Sequence, residues 1–272
     1  MNRLLTKLPL LNYALALVLA AVLLTRGQSD TTALLIVSSI VMFAVCWSSA
    51  IHLLGGRAAL HFVLIAVVCG WAAEQLGSSY GWFFGSYTYT DVLGPTLGDV
   101  PIVIPLMWFA LTYIAYVISN LIVWQAPSDG IAPLAQDIGM SLLAAMIVTA
   151  YDLGADPYMV FVLEAWIMEM KDGWWFGETV QGFAGWMFVS FVIVFLFRLS
   201  LRRRAPLAAL PASRRHVLVP LFIYGANMAF QMAAGYPVET RTIAFFAMGI
   251  PLLSALCGYA RWQRPLTAQG EL

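Results

Sequence analysis

Carboxylic acids and aromatic rings are concentrated in two stretches of this chain that are built alike. One runs from Glu74 to Trp108 and contains Gly81-Trp82-Phe83-Phe84-Gly85; the other runs from Asp152 to Trp186 and contains Gly173-Trp174-Trp175-Phe176-Gly177. Each follows an apolar run, and an acid placed near lipid is costly enough to need a reason. A carboxyl kept protonated by burial can protonate an alkene, and an ionised one can take a proton from water. Aromatic faces can stabilise the cation formed in between, through the quadrupole attraction of cation–π contacts. The residues suit acid–base work on a greasy substrate, with both stretches lining one site.

The acids divide into candidates by position. Glu74 shares a helical face with Trp71 and Ser78 (i, i+3, i+7), just ahead of the first aromatic stretch. Asp152 and Asp156 form a D-x-x-x-D pair ahead of the second, and Asp91 closes the polar run from Gly85. Either Glu74 or Asp152 is expected to be the general acid, with Asp156 or Asp91 orienting the water. Trp71, Trp82, Phe84, Tyr87, Tyr89, Trp108, Trp166, Trp175, Trp186 and Asn227 are the expected substrate-binding residues. The alternation of Tyr87 and Tyr89 predicts an extended segment with both rings on one side. An aromatic belt at the bilayer surface accounts for the rings but not for the acids beside them.

These residues are carried by a chain that is 61% hydrophobic and 10% charged, with mean hydropathy +0.83. Apolar runs of about twenty residues are long enough to cross a bilayer as helices, and they are too long and unalternating for barrel strands. The expected fold is all-α, a polytopic transmembrane helical bundle forming a single integral membrane domain over 1–272. Its spans lie near 8–25, 31–54, 58–77, 101–124, 131–152, 182–201, 216–235 and 242–262, with seven spans as the alternative if the first is a signal peptide. Thr25-Arg26-Gly27 lacks the small-residue cleavage pattern, which favours a retained helix. Pro101 is read as starting the fourth helix and Pro105 as sitting in its first turn. The two aromatic stretches also suggest a parallel repeat of 58–124 and 131–201.

Charge sets the expected orientation. Eleven of the 14 Lys and Arg (Arg3, Lys7, Arg57, Arg198, Arg202, Arg203, Arg204, Arg214, Arg215, Arg261, Arg264) fall on one side of an eight-span topology, against Arg26, Lys171 and Arg241 on the other. The positive-inside rule then puts both termini in the cytoplasm, in a multi-pass cell (inner or plasma) membrane protein. Most acids fall on the outer side; Asp129, Asp137 and Glu271 are the inner ones. The basic run from Arg198 to Arg215 fits anionic headgroups, and no nucleic-acid partner is expected. Tyr113, Tyr116 and Asn120 form a polar stripe on the fourth helix, and Tyr224, Asn227 and Gln231 form another on the seventh. Such stripes either bond helix to helix or line a cavity.

Metal and redox chemistry find little in the sequence. Cys46, Cys69 and Cys257 are far apart within apolar spans and read as small core residues. His52, His61 and His216 are scattered, and no G-x-G-x-x-G is present. A D-x-x-x-D pair can hold Mg²⁺ for a diphosphate, as in membrane prenyltransferases, but here it has no second acidic motif. No metal ligand set and no cofactor are expected.

The chain resembles the CruF-type carotenoid hydratases, a family of carotenoid-biosynthesis membrane proteins that includes the γ-carotene 1′-hydroxylase type. The resemblance covers most of the chain from the third span onward. It rests on Glu74, Phe84-Gly85-Ser86-Tyr87-Thr88-Tyr89-Thr90-Asp91 to Pro95, Val100-Pro101-x-x-x-Pro105-x-x-Trp108, Asp152-x-x-x-Asp156-Pro157 and Gly185-Trp186. It implies addition of water to a terminal isoprenoid C=C of a carotenoid, giving a tertiary alcohol without a cofactor. It also implies a long polyene as partner and association with other carotenoid enzymes. The chain departs from the family pattern in one place. Where Tyr-Gly-Val-Pro-x-x-Asn-Phe-x-Gly-Trp is expected, it has Phe176-Gly177-Glu178-Thr179-Val180-Gln181-Gly182-Phe183-Ala184-Gly185-Trp186. Readings from other classes are a prenyltransferase-like enzyme using Mg-diphosphate and a non-catalytic carotenoid or lipid transporter.

Overall fold

A computed structural model describes residues 3–27, 31–128, 132–170, 173–202 and 214–262. Eight helices among them are long and apolar enough to cross a membrane. They are α1 (Arg3–Arg26), α2 (Thr32–Leu54), α3 (Gly56–Tyr80), α4 (Val103–Trp124), α5 (Leu134–Phe161), α6 (Val180–Arg202), α7 (Leu218–Ala234) and α8 (Glu239–Arg261). Asp30, Asp129, Lys171, Asp172, Arg203, Arg204, Arg264 and Glu271 lie outside the described residues.

α4 is the hub. It packs against α2, α3, α5, α6, α7 and α8 and is buried along most of its length. Large rings fill the spaces around it: Trp108, Phe109, Tyr113 and Tyr116 are all fully buried, and Phe62 of α3 stacks on Phe197 of α6. The α4 polar stripe is spent on holding helices together. The Tyr113 hydroxyl meets Ser49 Oγ of α2 at 2.8 Å. Arg198 of α6 donates to Asn120 Oδ1 at 2.7 Å and to Ser119 Oγ, with its guanidinium 4.6 Å over the Tyr116 ring. At the same end Arg202 pairs with Asp137 at 2.8 Å.

Among the described residues the connections carry four short strands. β1 (Tyr87–Tyr89) pairs antiparallel with β4 (Trp166–Met168), setting Tyr87 opposite Met168 and Tyr89 opposite Trp166. Thr90 N–H to Ala165 O and Glu169 N–H to Ser86 O extend the ladder. The connections after α3 and α5 are thereby tied together by backbone bonds. β2 (Thr96–Leu97) and β3 (Val100–Pro101) form a small hairpin. Pro101 therefore belongs to a strand and α4 begins at Val103, which corrects the expected start; Pro105 does lie in the first turn.

α5 runs nine residues past its expected end at 152, so Asp152 and Asp156 both lie inside the helix. Pro157 is also inside it. A helical proline lacks the N–H that would reach the carbonyl four residues back, here Leu153. Trp175 supplies the missing donor: its indole Nε1 donates to Leu153 O at 3.0 Å. α3 ends at Gly81, whose φ of 69° is the left-handed conformation that glycine adopts without a Cβ clash. The two like motifs then diverge locally. Gly81, Phe83 and Gly85 have positive φ in the first, whereas Phe176 and Gly177 do in the second.

Candidate active site

Glu74 is almost fully buried, and its carboxyl accepts from three side chains. Tyr87 Oη and Tyr89 Oη donate to Oε2, the latter at 2.8 Å, and Trp108 Nε1 donates to Oε1 at 2.9 Å. The extended backbone of β1 aims both phenols the same way, as alternation requires. Burial, followed by the neighbouring Glu74 carboxyl, pushes both phenols well above the usual tyrosine value, so they act as O–H donors. An ionised carboxylate only accepts, and this set of three donors matches that inventory.

Around Glu74 the rings form a chamber. Phe84, Tyr87, Tyr89, Trp108, Trp166 and Trp186 line it, together with Asp156 and Glu178. Trp108 stacks on Trp186 with centroids 4.4 Å apart, and Tyr87–Tyr89 and Tyr89–Trp166 meet edge to face. A second, larger and largely apolar cavity adjoins it, bounded by residues of α1, α2, α4, α5 and α7 such as Leu19, Met42, Leu111 and Phe230. Ile104, Met107, Asp156, Trp166 and Trp186 line both, so the cavities share a wall. They enclose about 510 and 970 Å³ of space not filled by protein atoms, mouths included.

The acids divide between these spaces. Asp152 faces the apolar cavity, Asp156 faces both, and Glu74 and Glu178 face the chamber. All four are at least nine-tenths buried and interact electrostatically. Glu178, only 1% exposed, was missed as a site residue from the sequence. Its available signal was position: an acid inside the second aromatic stretch, in the segment that departs from the family pattern. Gly182, another departure, lines the same chamber. Burial raises the Glu178 pKa, and the neighbouring Asp156 opposes that rise.

Several expected residues lie elsewhere. Asp91 is exposed in a 3₁₀ turn and lines neither cavity. Trp82 is 57% exposed. Trp71 donates to Leu97 O at 3.0 Å, steadying the β2–β3 hairpin, and Trp175 is engaged with Leu153 O. Asn227 and Gln231 do line the apolar cavity, and Tyr224 bonds Ile147 O. Cys46 is buried, but Cys257 is on the outer surface of α8, facing where lipid would be. His52 and His216, far apart in sequence, come together with ring centroids 4.3 Å apart at the opposite end of the bundle. Among the described residues no group of three or more His, Cys, Asp or Glu could hold a metal ion.

Comparison with known proteins places this architecture. Residues 30–254 match the family described as carotenoid biosynthesis protein. The bisanhydrobacterioruberin hydratase of Haloarcula japonica is 34% identical over 154 residues, covering 54% of this chain and 49% of that protein. The match thus spans about half the length of that curated relative. No solved structure matches. With the family match covering most of its length, the chain belongs to the carotenoid biosynthesis protein family.

Proposed function

We propose that this protein adds water to a terminal isoprenoid C=C of a carotenoid, producing a tertiary hydroxyl end group. The observation that carries this reading is the junction at Asp156. There an aromatic chamber holding Glu74 adjoins a largely apolar cavity, the two sharing lining residues. The end group enters the chamber and the conjugated chain lies in the apolar cavity.

Proton transfer to the less substituted alkene carbon leaves a tertiary cation, which the surrounding rings and a carboxylate stabilise. Water adds to the cation and its surplus proton returns to a carboxylate, so the acid is regenerated. Nothing is oxidised or reduced, and this scheme asks for no redox cofactor. Glu74, Asp152 and Asp156 are the candidate acids and bases, and Phe84, Tyr87, Tyr89, Trp108, Trp166 and Trp186 are the end-group contacts. A diphosphate-handling site needs positive charge around its acids; of the described residues lining the two cavities, only Arg26 is basic. The related hydratase supports the same chemistry. The positive-side bias of the basic residues supports a cell membrane location with the chamber at the outer face.

Co-expression in a lycopene-producing host tests the reading. Pigments should gain the mass of one water per hydrated end. Pigment recovered with purified protein at unchanged mass would instead favour a binding or transport role. Activity that appears only with a prenyl diphosphate and Mg²⁺ would favour transfer.

A further inference from the structure

Glu178 is buried beside the chamber, and among the described residues neither of its carboxyl oxygens receives a donor from an N–H or O–H group. The chamber wall holds another acid beside it: Asp156 lines the same chamber, and the two carboxyls interact electrostatically. Two buried carboxylates with no donor between them only accept, so their juxtaposition calls for a proton on one of them. Glu74 presents the opposite case, with three donors and no acid bonded to it. The other titratable groups around the pair are Asp152 on α5, Glu74 on α3 and the Tyr87 phenol on β1. Among the described residues no Lys or Arg lines the chamber.

Resting on the hydratase reading, we propose that Asp156 and Glu178 share a single proton and together form the acid–base unit, while Glu74 remains an ionised carboxylate that stabilises the cation. Asp156, the member facing both cavities, gives its proton to the alkene carbon. The π pair becomes the new C–H bond, the tertiary carbon becomes cationic, and the Asp156–Glu178 pair is left doubly ionised. Two like charges in contact are unfavourable, so the pair draws the proton from the water that adds to the cation. One water is consumed, one C–H and one C–O bond form, and the shared proton is restored. The pair thereby alternates between acid and base at one place, and no second acid on the far side of the substrate is needed.

The test uses the full-length protein in lipid nanodiscs, with infrared spectroscopy and turnover of lycopene read in parallel. The wild type should show a protonated-carboxyl C=O band at neutral pH. A proton shared by two groups reports on both, so Asp156→Asn and Glu178→Gln should each shift or remove that band, and Glu74→Gln should leave it in place. A band untouched by either substitution of the pair, or removed by Glu74→Gln, overturns the shared proton whatever the pigments show. Turnover in Glu178→Gln should fall about 10²–10⁴-fold with carotenoid still bound, the usual cost of losing a positioned acid or base. Glu178→Asp should recover part of the rate. Glu178→Gln removes one member of the pair and should displace the alkaline limb of the pH–rate profile. Wild-type turnover and pH profile in Glu178→Gln overturn the assignment. Absence of hydrated product from the wild type, with the infrared result intact, would fault the hydratase reading alone.

Discussion

Trp108 donates its indole N–H to Glu74 Oε1 at 2.9 Å, and this bond joins the hub helix to the buried acid of α3. It forms only because α3 presents glycine where the indole passes. A Cβ on Gly70 would meet the Trp108 ring at 2.7 Å. Gly70→Ala should therefore push Trp108 off Glu74, with an overpacking cost of about 1–3 kcal/mol. Gly139→Ala, where nothing stands within 4 Å, is the matched control. Thermal melting and pigment turnover should fall together in the first and stay near wild type in the second.

The rings that line the chamber should differ functionally from rings and acids outside it. Trp166→Ala removes one aromatic wall and should lower turnover about tenfold or more, the rate equivalent of about 1.4 kcal/mol. Trp82→Ala and Asp91→Asn alter exposed residues and should leave turnover near normal. Strong loss in Asp91→Asn would return that residue to the chemistry.

Trp175 and Pro157 should be energetically coupled through the Leu153 carbonyl. Trp175→Phe leaves that carbonyl without its donor and should cost about 1–3 kcal/mol. In a Pro157→Ala background the backbone N–H of residue 157 can take over, so the same substitution should cost much less. A double-mutant cycle of melting midpoints reads the difference. Additive costs would mean that the indole does not compensate the proline.

Acid should favour the fold at Glu178. Burial raises its folded pKa above the ordinary 4.5. The folded state then holds this proton more tightly than the unfolded chain does. Its stabilising contribution is complete below the ordinary value and is lost as pH rises through the raised one. Melting of the wild type in nanodiscs should weaken across that window, and the part due to this residue should vanish in Glu178→Gln. Equal pH slopes in the two proteins would show that Glu178 does not titrate there.

The orientation can be read by cysteine labelling in a background free of Cys46, Cys69 and Cys257. Thr96→Cys, in the β2–β3 hairpin, should react with an impermeant maleimide on intact cells. Gln125→Cys, after α4, should react only once cells are opened. Labelling of both from the same side would defeat the inward placement of the termini.

The membrane-bundle class was legible from the chain itself, because a twenty-residue apolar run has few stable alternatives in lipid and backbone bonding within a helix is local. The extended Tyr87–Tyr89 segment was legible for the same reason: a period of two is a local property. Glu74, Asp152 and Asp156 stood out because ionisable groups are conspicuous in apolar surroundings. What the linear order did not reveal was which of the surrounding groups meet. Glu178 lies four residues from an exposed tryptophan and reads as a loop acid, yet the β1–β4 ladder and the extension of α5 bring it against Asp156. Asp91 follows Tyr89 by two residues and turns away, because the strand ends and a 3₁₀ turn faces solvent. Where α5 passes Pro157 it meets a contact 22 residues distant, an indole filling the place of a missing backbone N–H. Residue type and period set which elements exist, whereas burial and pairing of individual polar groups depend on partners brought together only when the bundle packs.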